Sequence, residues 1–161
     1  TMKSYENSQG TVKKLHEVIG YPDVLVKVAT SLCGGTALKL VGTCGALAGG
    51  IMVLINYFGR PADLMSPTAY VEENVLPVFT AAGIAKELSD KFADEFGSIQ
   101  CVNIMYKLFG RLFYILDEDE LDKLEKAGAH TDPEKCGLIV GSVVRWVLEI
   151  LINKEVIKVS A

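Results

Sequence analysis

Apolar residues recur at the three- and four-residue spacing of α-helices along most of the chain, and no segment convincingly predicts a β-strand. Glycine, proline and capping residues divide this pattern into segments. The first three predicted helices cover residues 11–19, 22–33 and 43–58. After the loop 59–67, a long helix runs to Phe96 with a bend or restart at Pro77. The remaining helices cover residues 98–108, with a continuation or restart near Arg111, residues 117–127 and residues 132–153. Short connections between amphipathic helices predict an all-α fold, a single-domain bundle of about six to seven helices over residues 1–161.

The longest uncharged segment is residues 40–59. A run of this length is able to span a bilayer, and its Gly45-x-x-x-Gly49 pattern is typical of closely packed helices. Further glycines and polar residues dilute the run, and the chain shows no second segment comparable to it. We therefore predict a buried, glycine-rich central helix over 43–58 instead of a membrane span, with Gly45 and Gly49 allowing close approach of neighbouring segments to each other and to a site.

Composition and charge narrow the classes of partner. Half of the 161 residues are apolar, which argues against disorder, and the formal net charge is −4. No block of basic residues is present, so we expect no nucleic-acid partner. The high apolar content predicts a homo-oligomer, with a dimer favoured, because a monomer would expose apolar patches.

The start of the sequence and the number of cysteines bear on location. The first ten residues are polar and lack the apolar segment of a signal peptide. Four cysteines are too few for the disulfide scaffold of a small secreted protein. The sequence therefore predicts a cytoplasmic, reducing location.

Candidate chemistry lies in the cysteines at positions 33, 44, 101 and 136. The absence of a Cys-x-x-Cys pair excludes a thioredoxin-type centre, a ribbon-type zinc site and attachment of a c-type haem. His16 and His130 have no second ligand at local spacing, so we expect both on the surface. The glycine pairs do not follow strands, which excludes the common phosphate-binding loops.

Three of the four cysteines lie in the first turn of a predicted helix: Cys44 after Thr43, Cys101 after Ser98, and Cys136 after Asp132. Free N–H groups and the positive end of the helix dipole stabilise a thiolate there. The sequence thus predicts that these three cysteines converge on one site, and that the pKa of Cys44 lies below the ordinary value of ~8.5. Cys33 lies at a predicted helix C-terminus, which makes it a doubtful member of the site and predicts a pKa at or above that value.

The segment 44–49 reads Cys-Gly-Ala-Leu-Ala-Gly and resembles the Cys-Gly-Ala-x-x-Gly signature of the C_GCAxxG_C_C family of redox-active proteins. The segments that contain Cys101 and Cys136 resemble the third and fourth cysteine segments of that family. The resemblance spans residues 10–151 and departs from the family pattern at the first cysteine, whose position falls near Gly10. It implies a redox role for the three matched cysteines, and either Cys33 replaces the missing one or the chain keeps three thiols.

Two functions stay open on this basis. In the first, an oxidoreductase or electron carrier with a redox partner protein uses these cysteines. Cys44, Cys101 and Cys136 would bind an iron–sulfur cluster or another metal, with zinc less favoured, or would cycle between dithiol and disulfide with no cofactor. In the second, the chain is a non-catalytic helical interaction module with reduced core cysteines, which self-associates or binds a membrane protein.

Overall fold

The computed structural model describes residues 7–65 and 72–158, and within these ranges it contains seven α-helices and no strand. The polar residues 1–6 and the end of the predicted loop at 66–67 lie outside the described residues. The helices are α1 (Asn7–Ile19), α2 (Val24–Val28), α3 (Gly45–Phe58), α4 (Glu72–Phe96), α5 (Cys101–Phe109), α6 (Glu118–Lys126) and α7 (Cys136–Asn153). The predicted all-α fold and the number of helices are confirmed.

Helix α3 is the centre of the bundle and packs against α1, α4 and α7. Leu47 and Leu54 of α3 are fully buried, as are Leu88 and Phe92 of α4 and Val147 of α7. The apolar sides of α4 and of the glycine-rich helix α3 thus face the same core. Burial of such side chains stabilises a fold by about 1.5–3 kcal/mol each.

Glycines set the distance between α3 and the segments around it. A Cβ at Gly49 would lie 2.6 Å from the carbonyl oxygen of Ser8 in α1, and a Cβ at Gly45 would lie 2.9 Å from the Cα of Cys33. The Ser8 hydroxyl donates a hydrogen bond of 2.8 Å to the carbonyl of Ala29. The start of α1, the start of α3 and the segment before Cys33 therefore meet backbone to backbone.

Several helix boundaries differ from the sequence prediction. Thr43 does not cap α3, because it is paired with Gln100 in an isolated antiparallel bridge, and Cys44 is the residue before the helix. The carboxylate of Asp132 accepts a hydrogen bond from the amide of Glu134, so a turn precedes α7. Helices α5 and α7 consequently begin at their cysteines instead of three or four residues earlier.

Two expected interruptions also come out differently. Pro77 lies inside α4, which runs without a break from Glu72 to Phe96. A proline five residues into a helix leaves only one backbone carbonyl of the first turns without its usual donor. No helix continues or restarts at Arg111, because Gly110 ends α5 in a left-handed conformation with φ of 70°.

The helix with the length and composition of a membrane span is α7 and not α3. Among the described helices, α7 alone has the length and composition that could cross a bilayer, and a third of it is buried within the protein. The sequence analysis found no second apolar segment because Arg145 and Glu149 interrupt this one. Core helices can have the same length and composition, and Val143, Val147 and Ile150 of α7 belong to the core of the bundle.

Replacing Gly49 by alanine tests the contact between α1 and α3. The added Cβ meets backbone of Ser8, which cannot turn aside as a side chain can, so we expect a loss of about 1–3 kcal/mol in the free energy of unfolding. Gly83 of α4 provides the control, since a Cβ there meets nothing within 4 Å. Chemical denaturation of both variants should show destabilisation for Gly49→Ala alone, and equal stabilities would contradict the close contact.

Candidate functional site

Cys44 and Cys101 lie on two short segments that pair with each other in front of α3 and α5. The amide of Cys44 donates to the carbonyl of Ile99 at 2.7 Å, and the amide of Cys101 donates to the carbonyl of Gly42 at 2.9 Å. The bridged residues Thr43 and Gln100 precede the two cysteines. Successive side chains of an extended segment point to opposite faces, so both thiols lie on the face opposite to the bridged pair. The pairing therefore fixes the two cysteines as neighbours.

A compact left-handed turn brings Cys33 to the same place. The five residues 34–38 all have φ between 50° and 73°, a conformation that costs a residue with a Cβ about 1–2 kcal/mol. Glycine at positions 34 and 35 avoids this cost, and a Cβ at Gly35 would lie only 2.6 Å from the backbone of Leu40. The amide of Leu40 donates to the carbonyl of Gly34 at 2.8 Å and closes the turn. The chain between Cys33 and Cys44 is thereby folded back on itself.

Cys136 is the first residue of α7. It is half-buried, whereas the other three cysteines are buried. The Asn7 side chain, at the start of α1, forms a hydrogen bond with its thiol. All four cysteines lie within the described residues, and all four are thiols.

One cavity of about 220 Å³ collects these groups. All four cysteines line it, including Cys33, which the sequence left doubtful. Apolar side chains make up most of the remaining wall, among them Leu38, Ile104, Met105, Phe109, Leu124 and Ile139. The cavity is therefore a largely apolar chamber, whose other lining groups are the four cysteines with Asn7, Glu125 and His130. Gly45 and Gly49 were both expected near the site. Gly45 follows Cys44 as the first residue of α3, and Gly49 lies one turn further along and contacts α1.

Burial governs the protonation of these thiols. It raises the pKa of Cys44 to about 11, although the amides of Ala46 and Leu47 at the start of α3 act in the opposite direction. Burial raises the pKa of Cys101 to about 12, and the neighbouring Cys44 adds to this shift. The prediction of an acidic Cys44 is wrong, because loss of hydration outweighs the helix N-terminus when the thiol is sealed from water.

Cys136 has a different environment. Burial raises the pKa of its thiol, but the hydrogen bond from Asn7 opposes this effect. Glu125 raises this pKa further, whereas the ammonium group of Lys135 lowers it. Among the four cysteines, Cys136 combines the greatest exposure with a polar side-chain partner.

The sequence did not predict the contact between His130 and Glu125 at the wall of the cavity. The Nδ1 atom of His130 lies 2.6 Å from Oε1 of Glu125, and both residues line the chamber. The sequence analysis placed His130 on the surface because no ligand stood at local helical spacing. The pair joins the last turn of α6 to the connection before α7, and a contact across such a junction has no periodic signature.

The cysteine set does not by itself form a ready metal centre. No group of three or more His, Cys, Asp or Glu side chains within residues 7–65 and 72–158 is close enough together to hold one metal ion. The predicted ligands Cys44, Cys101 and Cys136 share the cavity, so a cluster at this place would require their side chains to turn toward a common point.

A comparison with known proteins matches the part of the chain that contains the cysteines. The profile of a family described as "Putative redox-active protein (C_GCAxxG_C_C)" matches residues 5–150. No curated protein and no solved structure matches the chain. The matched range contains all four cysteines and nearly all of the described helices.

The pH dependence of stability tests the burial of Cys44. Its pKa in the folded chain is about 11, against ~8.5 in an unfolded chain. Below pH ~8.5 the Cys44 thiol is protonated in both states, so its contribution to stability is constant. Between pH ~8.5 and 11 unfolding releases its proton, so the free energy of unfolding falls as pH rises. Chemical denaturation across this range should show a shallower decline for Cys44→Ala. Identical slopes for the two chains would contradict the buried, neutral thiol.

Proposed function

The chain belongs to the C_GCAxxG_C_C family of redox-active proteins, and on that premise we propose that it transfers electrons as a dithiol/disulfide couple. The observation that carries this proposal is that four cysteines from separate segments line one apolar cavity. A disulfide requires Cα atoms within ~7 Å, and we propose that two of the thiols lining this cavity meet that requirement in the folded bundle. Cys33, Cys44 and Cys101 are buried, so exchange with a partner begins at Cys136.

The reaction that we propose has two steps. The Cys136 thiolate attacks one sulfur of a disulfide on a redox partner, forms a mixed disulfide and releases the partner's other sulfur as a thiolate. The Cys44 sulfur then attacks Cys136, forms the internal disulfide and releases the second partner thiol. The two cysteines lose two electrons, which reduce the partner disulfide, and their two protons pass to the released thiolates.

The choice of Cys44 as the second thiol rests on two features. The charge of Cys136 contributes to the raised pKa of Cys44, and both thiols line the cavity. The amides of Ala46 and Leu47 also point at the Cys44 sulfur. These donors stabilise the thiolate that must form during attack and on reduction of the disulfide.

A second candidate is a protein that holds an iron–sulfur cluster. The observation that favours it is that Cys44, Cys101 and Cys136 all line the same cavity, and thiolates are the ligands of such clusters. A bound cluster would supply one-electron transfer. The buried thiols would then have to lose their protons on binding, because only thiolates ligate iron.

Oxidation of the folded chain with diamide tests the dithiol proposal. We expect the loss of two thiols and a disulfide-linked pair of peptides containing Cys136 and Cys44, identified by mass spectrometry. Cys136→Ser should lower the rate of oxidation by about tenfold, because the remaining thiols are buried and largely protonated. Cys33→Ser serves as the matched control and should leave the rate unchanged. Four thiols that stay reduced in the folded chain would favour the non-catalytic interaction module instead.

Anaerobic purification separates the two redox candidates. The dithiol proposal predicts colourless protein with four titratable thiols and no acid-labile sulfide. A brown preparation that contains iron and sulfide, and that loses its colour in the Cys101→Ser variant, would replace the dithiol proposal with the cluster.

A further inference from the structure

The left-handed turn over residues 34–38 forms part of the wall of the cysteine cavity. Gly34 and Leu38 line the cavity, next to Cys33. Thr36 and Ala37, between them, are exposed to solvent. The turn therefore has one side on the cavity and the other side in water, and the dithiol reaction described above makes no use of it.

The two ends of the turn are anchored to the bundle. On one side, a Cβ at Gly45 would lie only 2.9 Å from the Cα of Cys33, so this cysteine packs directly on the start of α3. On the other side, the carbonyl of Leu40 accepts a hydrogen bond of 2.8 Å from the amide of Val102 in α5. These contacts fix the chain before and after the turn.

The contacts between these anchors are local. The amide of Leu38 donates to the carbonyl of Cys33 at 3.3 Å, and the amide of Leu40 donates to the carbonyl of Gly34 at 2.8 Å. A Cβ at Gly34 would lie 2.9 Å from Cδ2 of Leu38 and 3.2 Å from Cδ1 of Ile115, so these two side chains meet over the glycine. Segments held by local hydrogen bonds and few apolar contacts open at a lower free energy than the core.

The backbone of the turn is also strained. The left-handed conformation is held by three residues that carry a Cβ, namely Thr36, Ala37 and Leu38, with φ of 65°, 50° and 60°. None of them is an asparagine or aspartate, the side chains that tolerate this conformation best. Each therefore pays a steric cost in the closed turn that disappears when the turn opens. Strain of this kind is concentrated at sites where the surrounding structure has to hold it or release it.

We propose that the left-handed turn is a strained cover over the cysteine cavity, which opens between its anchors at Cys33 and Leu40 while the helical bundle stays folded. Opening admits molecules from solution to the buried thiols of Cys44 and Cys101, and closure shields these thiols. This inference goes beyond the dithiol proposal, since it concerns access to the buried sulfurs whichever redox chemistry they perform.

Labelling of the buried thiols in the native chain tests local opening. The reduced chain is treated with N-ethylmaleimide in 0 to 1 M urea, and the initial rate of modification at Cys44 and Cys101 is measured by mass spectrometry. Opening of a short segment exposes little surface, so we expect these rates to change by less than about twofold. Rates that rise by about tenfold over this range, as expected for global unfolding, would overturn the proposal.

Glycine and valine at position 37 test the strain, because the side chain of Ala37 is exposed. Glycine removes a steric cost that is larger than the entropy it adds to the open turn, so Ala37→Gly should slow the labelling of Cys44 by about threefold. A β-branched side chain fits the left-handed conformation worst, so Ala37→Val should accelerate labelling by about tenfold. Equal rates in the two variants, or the reverse order, would contradict a strained cover.

The same substitution in a helix provides the matched control. Ala82 is an exposed residue of α4, where glycine lowers helix stability. Ala82→Gly should therefore unfold at a lower denaturant concentration, yet its labelling rate at Cys44 without urea should equal that of the unmodified chain. Labelling that accelerates in step with the loss of stability would assign access to global unfolding, and the cover proposal would fail. None of these rates depends on disulfide formation, so the dithiol proposal stands or falls separately.

Discussion

The site depends on two backbone hydrogen bonds that join the chain before α3 to the chain before α5. Donation from Cys44 to Ile99 and from Cys101 to Gly42 holds two helix N-termini side by side. Residues more than fifty positions apart become neighbours with their sulfurs on one face. The tight approach at Gly45 then brings the backbone of Cys33 against the same helix start. The family signature therefore specifies close backbone contacts as well as thiols. Its glycines stand where a side chain would collide with another segment.

Two opposing effects act on the buried sulfurs. The helix N-termini offer amides and a positive potential, which favour thiolates. Removal from water favours the neutral form, and it prevails at Cys44 and Cys101. In the proposed couple, the neutral buried thiols resist oxidation and the reaction begins at the half-buried Cys136. The same amides would stabilise a thiolate when one has to form during the proposed reaction. This suits a dithiol/disulfide couple in which only the accessible Cys136 reacts with the partner.

Local pattern predicted the helices and the cysteine segments, because both are properties of neighbouring residues. Apolar spacing is sufficient for α3, α4 and α7, and Gly49 marks a close contact through its position in the motif. No local pattern indicates that Thr43 is paired with Gln100, or that His130 contacts Glu125. Such pairings join separate segments of the chain, so neighbouring residues do not predict them. The low pKa expected of Cys44 is wrong for the same reason, because distant elements create its burial.

Cysteines from separate segments line one cavity in the folded chain. A trivalent arsenical such as phenylarsine oxide tests this most directly, because stable binding requires two sulfurs on the same arsenic atom. We expect the native, reduced chain to bind the arsenical, mass spectrometry to place it across Cys136 and Cys44, and Cys136→Ser to abolish stable binding. Binding that occurs only after unfolding, or a native chain in which no two thiols hold the reagent together, would contradict the shared cavity.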